Sequence, residues 1–250
     1  MTHVALQDVT DALAHGDHDS VLRMTDAILA ERPGDDAAHE LRARALLALG
    51  RLGEAEQHAQ DAVRLDPDEI RYRELLAEVL TRSGAHREAA LEYARLARND
   101  PRQPEWTVAE ARERLGAAQP GMSVEAARRA VRLDPSNAEA QLALSRGLAR
   151  AGDPRGALQA AVRAADLLPG DLAAREALAD AQWLAGQDAA AFAEFRVLAA
   201  EFPDVDRARV TGKAQTLYRR RAGAVGRVVA GIGPLFAFAL RSGWLRVEER

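Results

Sequence analysis

Six of the chain's ten prolines, Pro33, Pro67, Pro101, Pro135, Pro169 and Pro203, follow one another at intervals of 34 residues. Unrelated prolines would not keep such a comb, so residues 2–205 read as six copies of one unit, at 2–35, 36–69, 70–103, 104–137, 138–171 and 172–205. A fixed period of roughly 20–50 residues marks a stacked repeat, in which each unit buries its apolar face against its neighbours. A stack of this kind presents surface to a partner and seldom carries chemistry.

The second unit is the clearest. Leu46, Leu47 and Leu49 lie on a run of good helix formers that ends at Gly50, where glycine accepts the left-handed conformation that closes a helix. Ala55, Ala59, Ala62 and Val63 then recur at helical spacing, up to Asp66 and Pro67. The Pro67 ring disfavours a helical Asp66, so the second helix stops there. Each unit is therefore an antiparallel helix pair, A then B. With each proline at position 32, Gly16, Gly50, Gly84, Gly152 and Gly186 all fall on position 15. Positions 8 and 20 are small almost throughout, as in Ala43 with Ala55 and Ala77 with Ala89, which predicts close approach of the two backbones. Larger residues at positions 24 and 27, such as Tyr93 with Leu96 and Phe195 with Leu198, are expected to fill space between units. The chain is 48% apolar but only 4% aromatic, as suits closely packed Ala-rich helices.

Small residues at 8 and 20, glycine at 15, an apolar residue at 27 and proline at 32 resemble the tetratricopeptide repeat family over about four-fifths of the chain. The resemblance implies an all-α fold, a right-handed superhelical solenoid of antiparallel helix pairs. Two departures stand out. The family's usual Trp at position 4 is replaced by His39, Arg73, Gln141 and Arg175, while Tyr72 and Trp106 lie one place earlier. The fourth unit lacks the position-15 glycine; its turn runs from Gly116 to Gly121, and Ser123 is expected to cap a shortened helix B.

The same resemblance implies that A helices line a concave groove, with positions 2, 5, 9, 12 and 13 pointing into it. The candidate partner-binding residues are then Arg44, Glu74, Glu78, Arg82, Arg112, Arg146, Arg150, Asp180 and Trp183. Arg112, Arg146 and Arg150 would form a basic strip for a partner's carboxylates, with Glu74 and Glu78 as an acidic counterpart. The alternative is an ordinary solvated, mixed-charge face. The family's clamp for a peptide C-terminus is not matched, because Leu6, Thr10 and Leu41 occupy its places.

No catalytic constellation is visible: the chain lacks a glycine-rich phosphate loop, a nucleophile elbow and a His-Glu-x-x-His helix. There is no cysteine, which excludes thiolate sites and disulfides. All six histidines precede residue 87; His15 and His18 have a spacing compatible with a metal, but His18 and His86 share position 17 and read as structural. We therefore expect no enzyme, no metal and no cofactor. Met1–Thr10 lacks a basic region followed by an apolar core, so no secretory signal is expected and the location reads as cytoplasmic. Thirty-three of the 34 basic residues are Arg, which with the abundant Ala suggests a GC-rich bacterial genome.

Charge changes where the comb ends. Residues 1–203 carry 24 Lys/Arg against 34 Asp/Glu, whereas residues 204–250 carry 10 against 4. The first turns after Pro203 are expected to form a helix that covers the last repeat. Residues 206–250 then hold Arg219, Arg220, Arg221 and Arg227, followed by Leu235, Phe236, Phe238 and Trp244. The uncharged run Val228–Leu240 has 13 residues, short of the roughly 20 that span a bilayer, and is interrupted by Gly231, Gly233 and Pro234. This segment fits peripheral contact with an anionic membrane surface, docking on a partner or a second copy, or a further helical hairpin. The leading expectation is a non-enzymatic scaffold that binds a protein partner in the groove and uses the C-terminal segment for self-association or attachment. The alternative is a membrane-peripheral assembly factor. Nucleic acid is not an expected partner, because the acidic repeats would repel phosphates.

Overall fold

A computed structural model describes residues 6–201 together with 212, 213, 215 and 216. Twelve helices and no strand are found among the described residues: α1 Leu6–Ala14, α2 His18–Glu31, α3 Asp36–Ala48, α4 Leu52–Leu65, α5 Ile70–Ser83, α6 His86–Asn99, α7 Pro104–Gly116, α8 Pro120–Leu133, α9 Ala138–Ala151, α10 Pro154–Leu167, α11 Leu172–Leu184 and α12 Asp188–Glu201. Odd-numbered helices are the A members of the six units and even-numbered ones the B members. The architecture is an all-α repeat solenoid. The chain divides into two compact units, residues 1–153 and 154–250, a boundary that falls between helices A and B of the fifth repeat.

Local chemistry at the repeat junctions explains the regularity. Position 34 supplies the N-cap of the next helix A: Asp35, Asn137 and Asp171 accept the backbone N–H three residues on. Just before the proline, Asp66, Asp100 and Asp134 are extended, as a residue preceding proline must be. Their carboxylates accept the N–H two residues later and so close the turn. Between A and B, Gly50 adopts φ +74°, and a side chain there would meet nothing within 4 Å.

In the first unit, Ala43, Ala55, Ala59 and Ala89 are fully buried beside Leu46, Leu75 and Val79. The small positions 8 and 20 thus form the helix–helix contact, and leucines fill the space between successive pairs. In the second unit, Ala179 and Ala191 pack with Phe195 and Leu198, all four completely buried.

The fourth repeat departs from expectation. Helix α8 is not shortened: it has the full 14 residues and begins at Pro120, which suits the first helical turn because its missing N–H would be unsatisfied there anyway. Ser123 is not a cap. It is fully buried and its hydroxyl donates to the Ala111 carbonyl at 2.7 Å, across the 8–20 contact. The left-handed place of the missing glycine is taken by Ala118, φ +56°, the sole non-glycine with positive φ among the described residues. Packing of two complete helices on either side outweighs the steric cost of one misplaced Cβ.

Candidate functional site

The A-helix side chains expected to face a partner have several distinct environments. Arg44 pairs with Glu40 one turn earlier on α3. On α5, Arg71 lies over the Tyr72 ring at 4.9 Å and donates to its hydroxyl, which in turn donates to Asp36 at 2.8 Å. Burial, reinforced by the hydrogen bond to Asp36, pushes the Tyr72 hydroxyl up to about 12. Glu74 accepts the indole N–H of Trp106 from α7 at 3.1 Å, a tie from repeat 3 to repeat 4. Glu78 and Arg82, one and two turns further along α5, are exposed. Arg112 on α7 is bound to Glu139 on α9 at 2.7 Å.

The expected basic strip is therefore reduced. Arg112 spends its charge on Glu139, whereas Arg146 and Arg150 are exposed on one face of α9 and make no ion pair among the described residues. The first unit consequently has an acidic area at Glu74 and Glu78 and a separate guanidinium pair at Arg146 and Arg150. Their helices bury other side chains, among them Leu75 and Val79 on α5 and Ala140 and Leu148 on α9.

In the second unit, Asp180 is already occupied. The Lys213 ammonium, from the segment after the last repeat, lies 2.6 and 2.8 Å from the two Asp180 oxygens and 2.7 Å from Glu176. It also sits 5.6 Å from the centre of the Phe195 ring. Trp183 packs against the Ala179–Phe195 cluster, and its buried indole N–H has no partner among the described residues. The remaining tail residues, Arg219, Arg220, Arg221, Arg227, Leu235, Phe236, Phe238 and Trp244, lie outside the described residues. Among the described residues no helix is long and apolar enough to cross a membrane.

Position 4 has a role that the sequence pattern did not disclose. Its side chain reaches back to the carbonyl of the preceding position-32 proline: His39 to Pro33 at 3.0 Å, Arg73 to Pro67 at 3.1 Å and Gln141 to Pro135 at 3.3 Å. It also binds position 23, nineteen residues later on helix B. Arg73 meets Glu92 at 2.8 Å and Arg175 meets Glu194 at 2.7 Å. In repeat 2 the same tie is made by two imidazoles, His39 Nδ1 and His58 Nδ1, 2.8 Å apart.

The hydrogen-bond pattern assigns the protons of that pair. Arg42 Nε donates to His58 Nε2 at 3.0 Å, so His58 carries its proton on Nδ1 and donates it to His39 Nδ1. His39 then holds its proton on Nε2, toward the Pro33 carbonyl. Both rings are neutral in this arrangement. Burial, followed by the Arg42 charge and His39, holds His58 below its ordinary value. Asp61, one turn beyond His58, places a carboxylate oxygen 3.8 Å from His39 Nδ1. By contrast, His15, in the turn just after α1, bonds the Asp11 carbonyl of that helix.

The tetratricopeptide repeat family model matches twice, over residues 12–79 and 108–171, which together make up just over half of the chain. No curated protein matches the chain. Among solved structures, a tetratricopeptide repeat protein from Parabacteroides merdae is similar at 16% identity and a TM-score of 0.71, covering 94% of this chain and 97% of that one. YrrB, described as a TPR protein with an unusual peptide-binding site, is 18% identical with a TM-score of 0.57, over 76% of this chain and 97% of its own. MamA from Desulfovibrio magneticus is 18% identical with a TM-score of 0.59, over 66% and 94%. At these identities the likeness concerns the fold.

Proposed function

Because the chain belongs to the tetratricopeptide repeat family, we propose that it is a non-enzymatic scaffold whose A-helix face, from α5 to α9, binds a protein partner. The observation that carries this reading is the pair Arg146 and Arg150, exposed and without an ion pair among the described residues, on a helix that buries Ala140, Gln141, Ser145 and Leu148. Two guanidinium groups one turn apart suit a partner segment bearing carboxylates, which they can grip in bidentate fashion. Glu74 and Glu78 would meet basic residues at another point of the same partner. The likeness to YrrB supports peptide binding as the mode of recognition. Residues 206–250 are assigned to attachment or self-association, and the Lys213 contact supports docking of their beginning on α11.

Charge reversal tests the assignment. Partners captured from native extract by the unaltered chain should be lost with R146E/R150E and retained with R128E/R132E, which alters exposed arginines of α8 instead. Equal capture by both variants would overturn it.

A further inference from the structure

Repeats 3 and 6 tie helix A to helix B with an arginine and a glutamate, whereas repeat 2 uses His39 and His58 at the same two positions. The guanidinium of an arginine–glutamate tie repels a cation, whereas two neutral imidazoles beside a carboxylate offer ring nitrogens that a cation can take over from their hydrogen bonds. His39 from α3 and His58 and Asp61 from α4 place their ligating atoms all within 4.8 Å of one another, the one such group of three among the described residues. We propose that His39, His58 and Asp61 form a binding site for a divalent transition-metal cation of the Zn2+ type.

The donor set and the geometry both suit such an ion. Imidazole nitrogen with carboxylate oxygen is a borderline-soft combination that favours Zn2+, Co2+ or Ni2+ over Mg2+ or Ca2+. With zinc–nitrogen bonds of about 2.0–2.1 Å, two nitrogens on one tetrahedral ion lie ~3.3 Å apart. The His39–His58 contact of 2.8 Å would therefore open by ~0.5 Å and the 3.8 Å gap to Asp61 would close by a similar amount. His58 and Asp61 stand at i and i+3 on one helix face, so both can reach the ion without rearranging α4. His39 is already oriented as a ligand: its Nε2–H is fixed on the Pro33 carbonyl and its Nδ1 lone pair points at the site. The Asp61 side chain is 35% exposed, so the fourth position opens to solvent and can hold water or a ligand from elsewhere.

Arg42 opposes the ion. When His58 ligates through Nδ1, its proton moves to Nε2, where it faces the Arg42 N–H across the present 3.0 Å contact. Arg42 must withdraw, and it has other acceptors in Asp26, Thr25 and the Leu22 carbonyl. Both rings are neutral before and after, so the ion displaces the bridging proton to the far nitrogen of the same ring. The site is thus a metal site held in check by the Arg42 guanidinium at His58, while Arg64 engages the Asp61 oxygen that faces away from His39 at 2.7 Å and leaves the other for the ion.

The test uses the full chain without a histidine tag. Zn2+ calorimetry and Co2+ absorption should show one ion per chain, with ligand-field bands of a nitrogen–oxygen site. H39Q keeps a side chain that serves this position as Gln141, H39R/H58E installs the tie of repeat 3, and D61N alters a partly exposed residue. Each should weaken Zn2+ binding at least tenfold with unchanged helical circular dichroism. R42M should strengthen it several-fold. Binding by H39R/H58E and D61N equal to that of the unaltered chain would overturn the proposal. So would absence of stoichiometric Zn2+ binding by both the unaltered chain and R42M.

Discussion

Replacing Ala118 by glycine should stabilise the protein, which is unusual for a substitution that removes a side chain. Ala118 sits at φ +56° in the turn between α7 and α8, where the Cβ of an L-residue crowds the following carbonyl at a cost of ~1–2 kcal/mol. Its methyl is exposed, so removing it forfeits no packing. The turn's backbone hydrogen bonds, Ala118 N–H to Leu115 at 3.1 Å and Gln119 N–H to Arg114 at 2.8 Å, do not involve the side chain and persist. Glycine gives back part of the gain, because its freer unfolded chain costs ~0.4–1 kcal/mol. The net expectation for A118G is a stabilisation of ~0.5–1 kcal/mol. At roughly 2–4 °C per kcal/mol for a chain of this size, the midpoint of thermal unfolding rises by ~1–4 °C. Urea unfolding followed at 222 nm gives the free energy. Amide exchange around residues 111–123 shows whether the gain is local, since a repeat stack need not unfold as one block. G50A is the mirror experiment: φ there is +74° and an added Cβ meets no neighbour, so backbone strain alone should destabilise by ~0.5–1 kcal/mol. A neutral or destabilising A118G beside a destabilising G50A would refute the claim that the fourth turn carries this strain.

Enlarging the contact between positions 8 and 20 should be costly: A55L, opposite Ala43 with both sites fully buried, is expected to lose ~1–3 kcal/mol in urea unfolding. The buried phenol of Tyr72 makes the fold sensitive to alkali. Its folded value of about 12 lies above that of an unfolded tyrosine, so its stabilisation is complete below pH ~10 and is lost as pH rises through the folded value. Y72F should flatten that alkaline loss, and absorbance at 295 nm should show one late-titrating phenol fewer. At the close approach of α8 and α9, G147A would bring a Cβ to 3.1 Å from a Val124 methyl and 3.2 Å from the Ser123 hydroxyl. It should therefore fall short of the ~1 kcal/mol gain that alanine gives over glycine in an open helix; the full gain in urea unfolding would show that the neighbours yield freely.

The proline comb made the helices and their phase legible, because the extended residue before each proline and the left-handed turn at position 15 are local backbone demands. Position 118 shows the limit of such reasoning. The missing glycine pointed to an irregular fourth repeat, yet the neighbouring helices impose the usual turn on an alanine and leave helix B at full length. The binding face was legible only as a list of positions. Arg112 and Glu139 stand 27 residues apart, and Trp106 and Glu74 stand 32 apart, so their pairing depends on how successive A helices align. The His39–His58 pair was hidden for a similar reason. Each histidine is ordinary on its own helix, and the signal was the nineteen-residue offset that Arg73–Glu92 and Arg175–Glu194 also obey.

Lys213, the chain's single lysine, is clasped by two carboxylates of α11. Every reaction directed at a lysine side-chain amine must therefore act at this one contact. Acylation would erase the positive charge that holds residue 213 to Glu176 and Asp180 and so would weaken the clasp. Conversely, an acylating reagent needs the free amine, so its rate at Lys213 reads out how often the clasp opens. A single mass-shifted peptide would serve as a clock for the release of this segment from the last repeat.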